Sequence, residues 1–197
     1  MCIPSLEGLH NLTHSKAIWG GLSYFLLPTS FCFRIFAAMM IDCSDKELEL
    51  LQIIGSCAQK LNVPCYLVGG FVRDKLLQRG CKDLDFVCVG DGIALAHEVA
   101  KQFKPQPPVS YFKNFGTANI KHYEFEIEFV GARKESYASH SRKPEVESGT
   151  LEDDQKRRDF TINALAISLN KDDFGQLIDP FDGVNDLEAK IIRTPLE

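Results

Sequence analysis

The residues with the clearest potential for chemistry are two aspartates, Asp83 and Asp85, at the start of an apolar stretch. Side chains two positions apart on a β-strand project from the same face, so the two carboxylates converge while Leu84 points into the core. Carboxylates this close repel each other unless a cation lies between them, and hard oxygen ligands suit Mg²⁺. The pair therefore predicts a metal site, although a solvated acidic pair at a strand edge would show the same pattern.

A second motif, Gly69-Gly70-Phe71-Val72-Arg73-Asp74, lies between a predicted strand and a predicted helix. A glycine pair lets backbone N–H groups approach a phosphate at the positive end of the following helix. Arg73, one turn into that helix, can add a bidentate contact to the same anion. Taken alone the motif is weak, because glycine pairs also form ordinary turns.

The third feature is a local concentration of positive charge. Seven of the 22 lysines and arginines lie between positions 133 and 158, namely Arg133, Lys134, Arg142, Lys143, Lys156, Arg157 and Arg158. Such a run is usually a solvated surface. The net charge of -5, however, argues against a surface that is basic throughout. In such a chain a local basic cluster fits a bound polyphosphate.

Hydrophobic patterning predicts one α+β unit from Ser44 onward. Ser44 and Glu47 form a capping box at the start of an amphipathic helix. Strict alternation over 124–129 predicts a strand whose apolar side chains line a core while Glu126 and Glu128 face the other side. Further strands are predicted at 64–68, 83–89, 109–112 and 176–179, helices at 71–78 and 91–103, a short helix after Thr150, a helical turn at 186–190, and a mobile loop at 136–150.

The composition is that of a globular protein, with 45% apolar and 25% charged residues. It excludes a disordered, collagen-like or coiled-coil chain. Seven cysteines occur without a C-x-x-C pair, which indicates a reduced, cytoplasmic compartment and argues against a zinc site.

Residues 1–38 differ from the rest of the chain. Positions 18–41 are mostly apolar but contain Pro28 and Arg34, which make a membrane anchor costly. The weakly charged start does not favour a signal peptide. We expect residues 1–38 to be an apolar leader, poorly ordered or upstream of a natural start at Met39 or Met40. The competing interpretation is a hydrophobic helix packed on the core, and no membrane association is predicted.

Together the motifs resemble the head domain of the class II nucleotidyltransferases, which include CCA-adding tRNA nucleotidyltransferases and bacterial poly(A) polymerases. The resemblance covers about 63–193 and includes R-R-D-F-T-I-N-A-L-A from Arg157 and I-D-P-F-D-G from Ile178. It implies an α+β, polymerase-beta-like fold in which a small mixed sheet is flanked by helices. Residues 39–197 would form this head domain, with the C-terminal neck, body and tail of the family missing.

The resemblance also implies roles for the nucleotide-binding residues. Gly70 and Arg73 would hold the triphosphate, and Gly69 would shape the turn. Arg158 would contact the nucleotide, with Arg157 beside it.

The resemblance further implies that Asp83 and Asp85 bind two Mg²⁺ ions. A third catalytic carboxylate is expected on the neighbouring strand. Glu128 is our choice, while Glu126 shares its face and remains possible.

The activity implied is template-independent addition of CCA to the 3′ end of tRNA from CTP and ATP, with release of pyrophosphate by two-metal phosphoryl transfer. Two different functions compete with it, a poly(A) polymerase of the same family and a non-catalytic nucleotide- or RNA-binding module. The paired aspartates count against the module, because a binder has no need of converging carboxylates. In this family the neck selects the base, so base choice is expected to lie beyond Glu197.

Overall fold

The computed structural model describes residues 41–136 and 145–195. The α-helices in these ranges are α1 (Asp45–Leu61), α2 (Gly70–Leu76), α3 (Gly92–Ala100), α4 (Leu151–Lys156) and α5 (Gly183–Ala189). The strands are β1 (Cys65–Val68), β2 (Asp83–Cys88), β3 (Val109–Phe112), β4 (Thr117–His122), β5 (Phe125–Gly131), β6 (Arg133–Ser136), β7 (Glu145–Ser148), β8 (Ala166–Ser168) and β9 (Leu177–Ile178). Single 3-10 turns occur at Lys113–Phe115 and Thr161–Asn163.

Seven of these strands form one mixed sheet in the order β3-β4-β5-β2-β1-β8-β9. β2 and β5 run parallel, and the other neighbours in this sheet pair antiparallel. β6 and β7 form a separate two-stranded ribbon. The mixed sheet with helices packed on it confirms the predicted α+β fold class.

The larger of two buried apolar clusters lies on one face of the sheet. Leu84 and Phe86 on β2 and Ile127 and Phe129 on β5 are buried on this face. The alternating pattern predicted this for β5, and the spacing of Asp83 and Asp85 predicted it for Leu84. Apolar side chains of α1, α2 and α3 belong to the same buried cluster. The intervening side chains of β2 and β5 therefore project from the opposite face, where the acidic residues lie.

Helix α1 begins where the sequence predicted. The Ser44 side chain accepts from the backbone N–H of Glu47, and the Glu47 carboxylate accepts from the backbone N–H of Ser44 at 2.8 Å, which completes the capping box. Asn62 ends the helix in the left-handed conformation at φ 55°. Its backbone N–H donates to the last turn, so the helix is closed at both ends.

One sequence-based expectation is wrong in part. The predicted loop 136–150 contains β7, whose backbone pairs with β6 in antiparallel register. The polar sequence of β7 carries no apolar periodicity, and backbone pairing alone leaves no hydrophobic signal in a sequence. The remainder of that loop, 137–144, and the leader at 1–38 lie outside the described residues.

Across 41–136 and 145–195, none of the helices combines the length and the apolar character needed to cross a bilayer.

Candidate active site

The parallel pairing of β2 and β5 brings four carboxylates to one face of the sheet. Asp85 lies opposite Glu128, and Asp83 lies opposite Glu126. Paired positions on neighbouring strands carry side chains on the same face. Asp85 and Glu128 are half-buried, whereas Asp83 and Glu126 are exposed.

The environment disfavours negative charge on the half-buried pair. Burial raises the pKa of Asp85, the positive charge of Arg158 opposes this, and the charge of Asp83 adds to it. Burial likewise raises the pKa of Glu128, with a further contribution from Asp85 and opposition from Arg133. A cation held between these carboxylates would relieve the repulsion, which is the property expected of a metal-binding pair.

The two candidates for the third carboxylate have different surroundings. The Glu126 side chain is 64% exposed and pairs with Lys121, with 3.0 Å between Oε1 and Nζ. Glu128 is the register partner of Asp85 and lines two cavities together with it. The geometry thus brings Glu128, rather than Glu126, beside Asp85.

The glycine pair forms the junction between β1 and α2. Gly69 has φ +74° and ψ -133°, a backbone conformation that residues with a Cβ strongly disfavour. Gly70 is the first residue of α2. Arg73 is held in place by Asp74, which accepts from Nε at 2.9 Å, and by Asn163, whose Oδ1 accepts from Nη1 at 2.7 Å.

A buried carboxylate anchors the two arginines predicted to contact nucleotide. Asp154 on α4 has no exposed surface. Its Oδ1 accepts from Nε of Arg157 at 3.0 Å, and its Oδ2 accepts from Nε and Nη2 of Arg158 at 3.1 and 3.0 Å. Both guanidinium groups are therefore fixed by one charge before any ligand binds.

Arg158 connects the glycine turn to the carboxylates. Its Nη1 donates to the backbone carbonyl of Asn163 at 3.2 Å, and a Cβ at position 69 would lie 2.8 Å from the same nitrogen. Arg157 and Arg158 line a cavity of about 160 Å³ with Asp85 and Glu128. The structure thus brings the glycine turn, both arginines and this carboxylate pair into one region.

A larger cavity of about 390 Å³ lies on the same sheet face. It shares Asp85 and Glu128 with the smaller one. The other polar residues that line it are Asp83, Ser110, Asn119, Lys121 and Glu126.

The remaining members of the basic cluster do not all reach this region. Lys156 pairs with Glu152 on the exposed side of α4. Arg133 acts electrostatically on Glu128, and its buried Nε has no hydrogen-bond partner in the described part of the chain. Arg142 and Lys143 lie outside the described residues.

Sequence reasoning missed two residues that position the site, Asp154 and Asn163. Asp154 precedes Arg157 and Arg158 by three and four positions, the spacing at which opposite charges meet on a helix. That spacing was available in the sequence. Asn163 gave no comparable signal, because its contacts to Arg73 and Arg158 depend on the tertiary fold.

The donor set fits Mg²⁺ bound jointly with a phosphate ligand. In residues 41–136 and 145–195 no group of three or more histidine, cysteine or acidic side chains is arranged to hold a metal by itself. Mg²⁺ is commonly held by one or two carboxylates together with substrate phosphates and water. The half-buried pair Asp85 and Glu128 supplies such oxygens next to two anchored arginines.

The fold and the arrangement of its acidic face define a polymerase-beta-like nucleotidyltransferase domain. A model of the poly A polymerase head domain matches residues 65–193, and the chain belongs to that family. It is similar to a solved tRNA nucleotidyltransferase complexed with a primer tRNA and an incoming ATP analog, at 42% identity and a TM-score of 0.63 over 72% of this chain and 38% of that one. It is also similar to the Thermotoga maritima CCA-adding enzyme complexed with tRNA, at 34% identity and a TM-score of 0.65 over 78% of this chain and 33% of that one.

Similar curated relatives include the A-adding tRNA nucleotidyltransferase of Aquifex aeolicus, 48% identical over 128 residues. The match covers 65% of this chain and 15% of that protein. The A-adding enzyme of Halalkalibacterium halodurans is 39% identical over 154 residues, which cover 76% of this chain and 35% of the relative. The chain thus spans about a third or less of the length of these relatives.

Proposed function

We propose that this chain is the catalytic head of a template-independent RNA nucleotidyltransferase that adds C and A to the 3′ end of tRNA from CTP and ATP, releasing pyrophosphate. The observation that carries the proposal is the shared position of Asp85 and Glu128, which line the arginine-bearing cavity and the larger cavity alike. Transfer of a nucleotidyl group needs carboxylate oxygens that bind metal and cations that bind the phosphates. It also needs space for two substrates that meet beside these groups.

The triphosphate would be held by residues around the glycine turn. The tight turn at Gly69 and the backbone N–H of Gly70 allow a phosphate to approach closely, and Arg73 and Arg158 supply positive charge. Arg157 lies beside Arg158 on the shared anchor Asp154. Fixed cations lower the barrier because they need no reorganisation when charge develops on the leaving pyrophosphate.

Asp83 and Asp85 would hold two Mg²⁺ ions, with Glu128 as the third carboxylate. When bound, such ions lower the pKa of the attacking 3′-hydroxyl and neutralise charge on the phosphates. The protein's own contribution is position, because the carboxylates are fixed by strand pairing and the arginines by Asp154.

The proposal includes a cytoplasmic location. The five cysteines within the described ranges are all free thiols, as a reduced compartment favours.

A second candidate is an enzyme that adds A alone, because A-adding tRNA nucleotidyltransferases are among the similar curated relatives. A poly(A) polymerase and a non-catalytic nucleotide- or RNA-binding module are the third and fourth candidates. The half-buried carboxylate pair favours catalysis over binding, because it costs folding energy that a binder would have no reason to carry.

The test is to incubate the intact protein with tRNA that lacks its 3′ end, or that ends in CC, together with each NTP and Mg²⁺. Ordered addition of C, C and A supports the proposal. Addition of one A to the CC-ending tRNA alone supports the A-adding enzyme, and long A tails support the polymerase.

The site assignment is tested by Asp85→Asn, which should slow transfer by about 10³-fold while the fold is retained. Glu128→Gln should show a similar loss, whereas the matched variant Glu126→Gln should keep most of the activity. Circular dichroism reports the fold of each variant. Near-wild-type turnover of Asp85→Asn would rule out the metal site, and equal losses in both glutamate variants would remove the preference for Glu128.

A further inference from the structure

The larger cavity has polar residues that the proposed function does not yet use. Strand pairing places Asp85, Glu128, Asn119 and Ser110 in one row across β2, β5, β4 and β3. The row therefore runs from the carboxylates to the edge of the sheet, away from β1 and the glycine turn. Lys121, two positions after Asn119 on β4, lies on the same face.

The two cavities flank the same carboxylates from different directions. In phosphoryl transfer the attacking and leaving oxygens lie roughly in line on opposite sides of the phosphorus. The arginine-lined cavity provides cations for the leaving pyrophosphate. The attacking hydroxyl, and the RNA end that carries it, must then come from the side of the larger cavity, which has room for a ribose and its phosphate.

We propose that Asn119 and Ser110 bind the terminal ribose of the RNA acceptor, and that Asn119 distinguishes RNA from DNA through the 2′-hydroxyl. This inference rests on the proposed function and names the acceptor subsite of the same site. Lys121 meets the phosphate that precedes that ribose.

The chemistry of the two side chains suits a hydroxyl group. An asparagine amide and a serine hydroxyl can each donate and accept, and the 2′-hydroxyl of RNA does the same. Within the described part of the chain, neither side chain makes a hydrogen bond to protein, although Asn119 is half-buried on the cavity wall. Both groups are thus available to a ligand.

The charges of the cavity fix the direction of the RNA. Four carboxylates line it, and among its lining residues Lys121 is the only cation. The phosphate of the RNA therefore lies near Lys121, and the ribose that carries the attacking hydroxyl lies towards Asp85 and Glu128, where the metal ions would bind. The Lys121–Glu126 pair is 74% and 64% exposed, and exposed pairs of this kind exchange partners at little cost.

The experiment uses the intact protein and two tRNA primers that differ in one atom. One primer ends in a ribonucleotide, and the other ends in a 2′-deoxynucleotide that keeps its 3′-hydroxyl. The wild-type protein should prefer the first by about tenfold in kcat/KM. Asn119→Ala should raise the KM for the ribonucleotide primer about tenfold and abolish the preference, while the KM for ATP stays unchanged.

Further variants separate a specific role from a structural one. Asn119→Thr keeps a donor and an acceptor and should restore part of the preference. Ser110→Ala should cause a smaller rise in the KM for the ribonucleotide primer. Because Ser110 is exposed, this substitution leaves the packing of the core unchanged. Gln52→Ala, which removes an exposed amide on α1, is the matched control and should change nothing.

The outcomes separate this inference from the function on which it rests. If the wild-type protein transfers nucleotides and neither Asn119→Ala nor Ser110→Ala changes the primer KM or the 2′-hydroxyl preference, the acceptor subsite is wrong while the function stands. If the wild-type protein transfers no nucleotide, fluorescence anisotropy measures the binding of the same two primers to the wild-type protein and to Asn119→Ala, and this tests the subsite separately. The subsite is supported if Asn119→Ala loses the preference for the primer that carries the 2′-hydroxyl. It is overturned if the wild-type protein and Asn119→Ala show the same preference between the two primers.

Discussion

Neutralising the buried anchor of the two arginines should lower both stability and nucleotide affinity. Asp154 is fully buried, whereas the side chains of Arg157 and Arg158 are 34% and 20% exposed. Breaking a buried ion pair costs roughly 3–5 kcal/mol. Because both guanidinium groups can turn towards water and an asparagine oxygen can still accept one hydrogen bond, we expect about 2 kcal/mol for Asp154→Asn.

That free energy corresponds to a fall in melting temperature of about 4–8 °C for a chain of this size. Loss of one well-placed charged hydrogen bond to phosphate, about 1.5–3 kcal/mol, weakens ATP binding by about 10–150-fold. Thermal unfolding followed by circular dichroism measures the first effect, and calorimetric titration with ATP and Mg²⁺ measures the second.

The matched control removes a carboxylate from the same helix. Glu152 is 67% exposed and pairs with Lys156, so Glu152→Gln should cost less than about 0.5 kcal/mol and leave ATP binding unchanged. If Asp154→Asn melts within about 1 °C of the wild type, a threshold of about 0.5 kcal/mol, and binds ATP equally well, the anchoring role is refuted.

Two further predictions concern the glycine turn and the pH dependence of stability. Gly69→Ala should cost about 1–3 kcal/mol in denaturant unfolding, because its φ is +74°, and should also weaken ATP binding, because the new Cβ would lie 2.8 Å from Nη1 of Arg158. Gly116→Ala, at φ +61° with open space around the Cβ, should lose stability but not affinity, and equal affinity losses would contradict the steric argument. Hydrogen bonds from Lys60 and Lys101 lower the pKa of Glu98 from 4.5 to about 2, so its stabilising contribution is present above pH 4.5 and is lost as pH falls through about 2. The melting temperature of Glu98→Gln should accordingly lie below the wild type at pH 7 and converge with it near pH 2, and a constant difference would show that the charge is not responsible.

Local signals predicted the parts of the fold that local interactions determine. The capping box at Ser44 and the alternation through Phe125, Ile127 and Phe129 each depend on residues close in sequence, and the structure has them where they were expected. The pairing of β2 with β5 joins segments about forty positions apart. It could be anticipated only through the resemblance to a family, because no local pattern encodes register between distant strands.

The same distinction applies to the candidate site. Asp83 and Asp85 were identified from their spacing, since one strand carries both. The choice between Glu126 and Glu128 stayed open, because it depends on which of them lies opposite Asp85. The arginine cluster was identified by composition. The spacing of its anchor, Asp154, was also available in the sequence, whereas the burial of that carboxylate is a property of the folded chain.

One acidic residue of the site has its positive partners in the folded protein, and two others do not. For this reason, replacing Asp154 and replacing Asp85 should change the melting temperature in different directions. The charge of Asp154 is already paired with both Arg157 and Arg158 in the folded protein. Asp85 and Glu128 repel each other in a half-buried position, since their positive partner is expected to come with the substrate. A group whose pKa is raised on folding opposes folding when it is charged. Without Mg²⁺, Asp85→Asn should therefore leave the melting temperature unchanged or higher, whereas Asp154→Asn lowers it, although both remove one carboxylate from the same region.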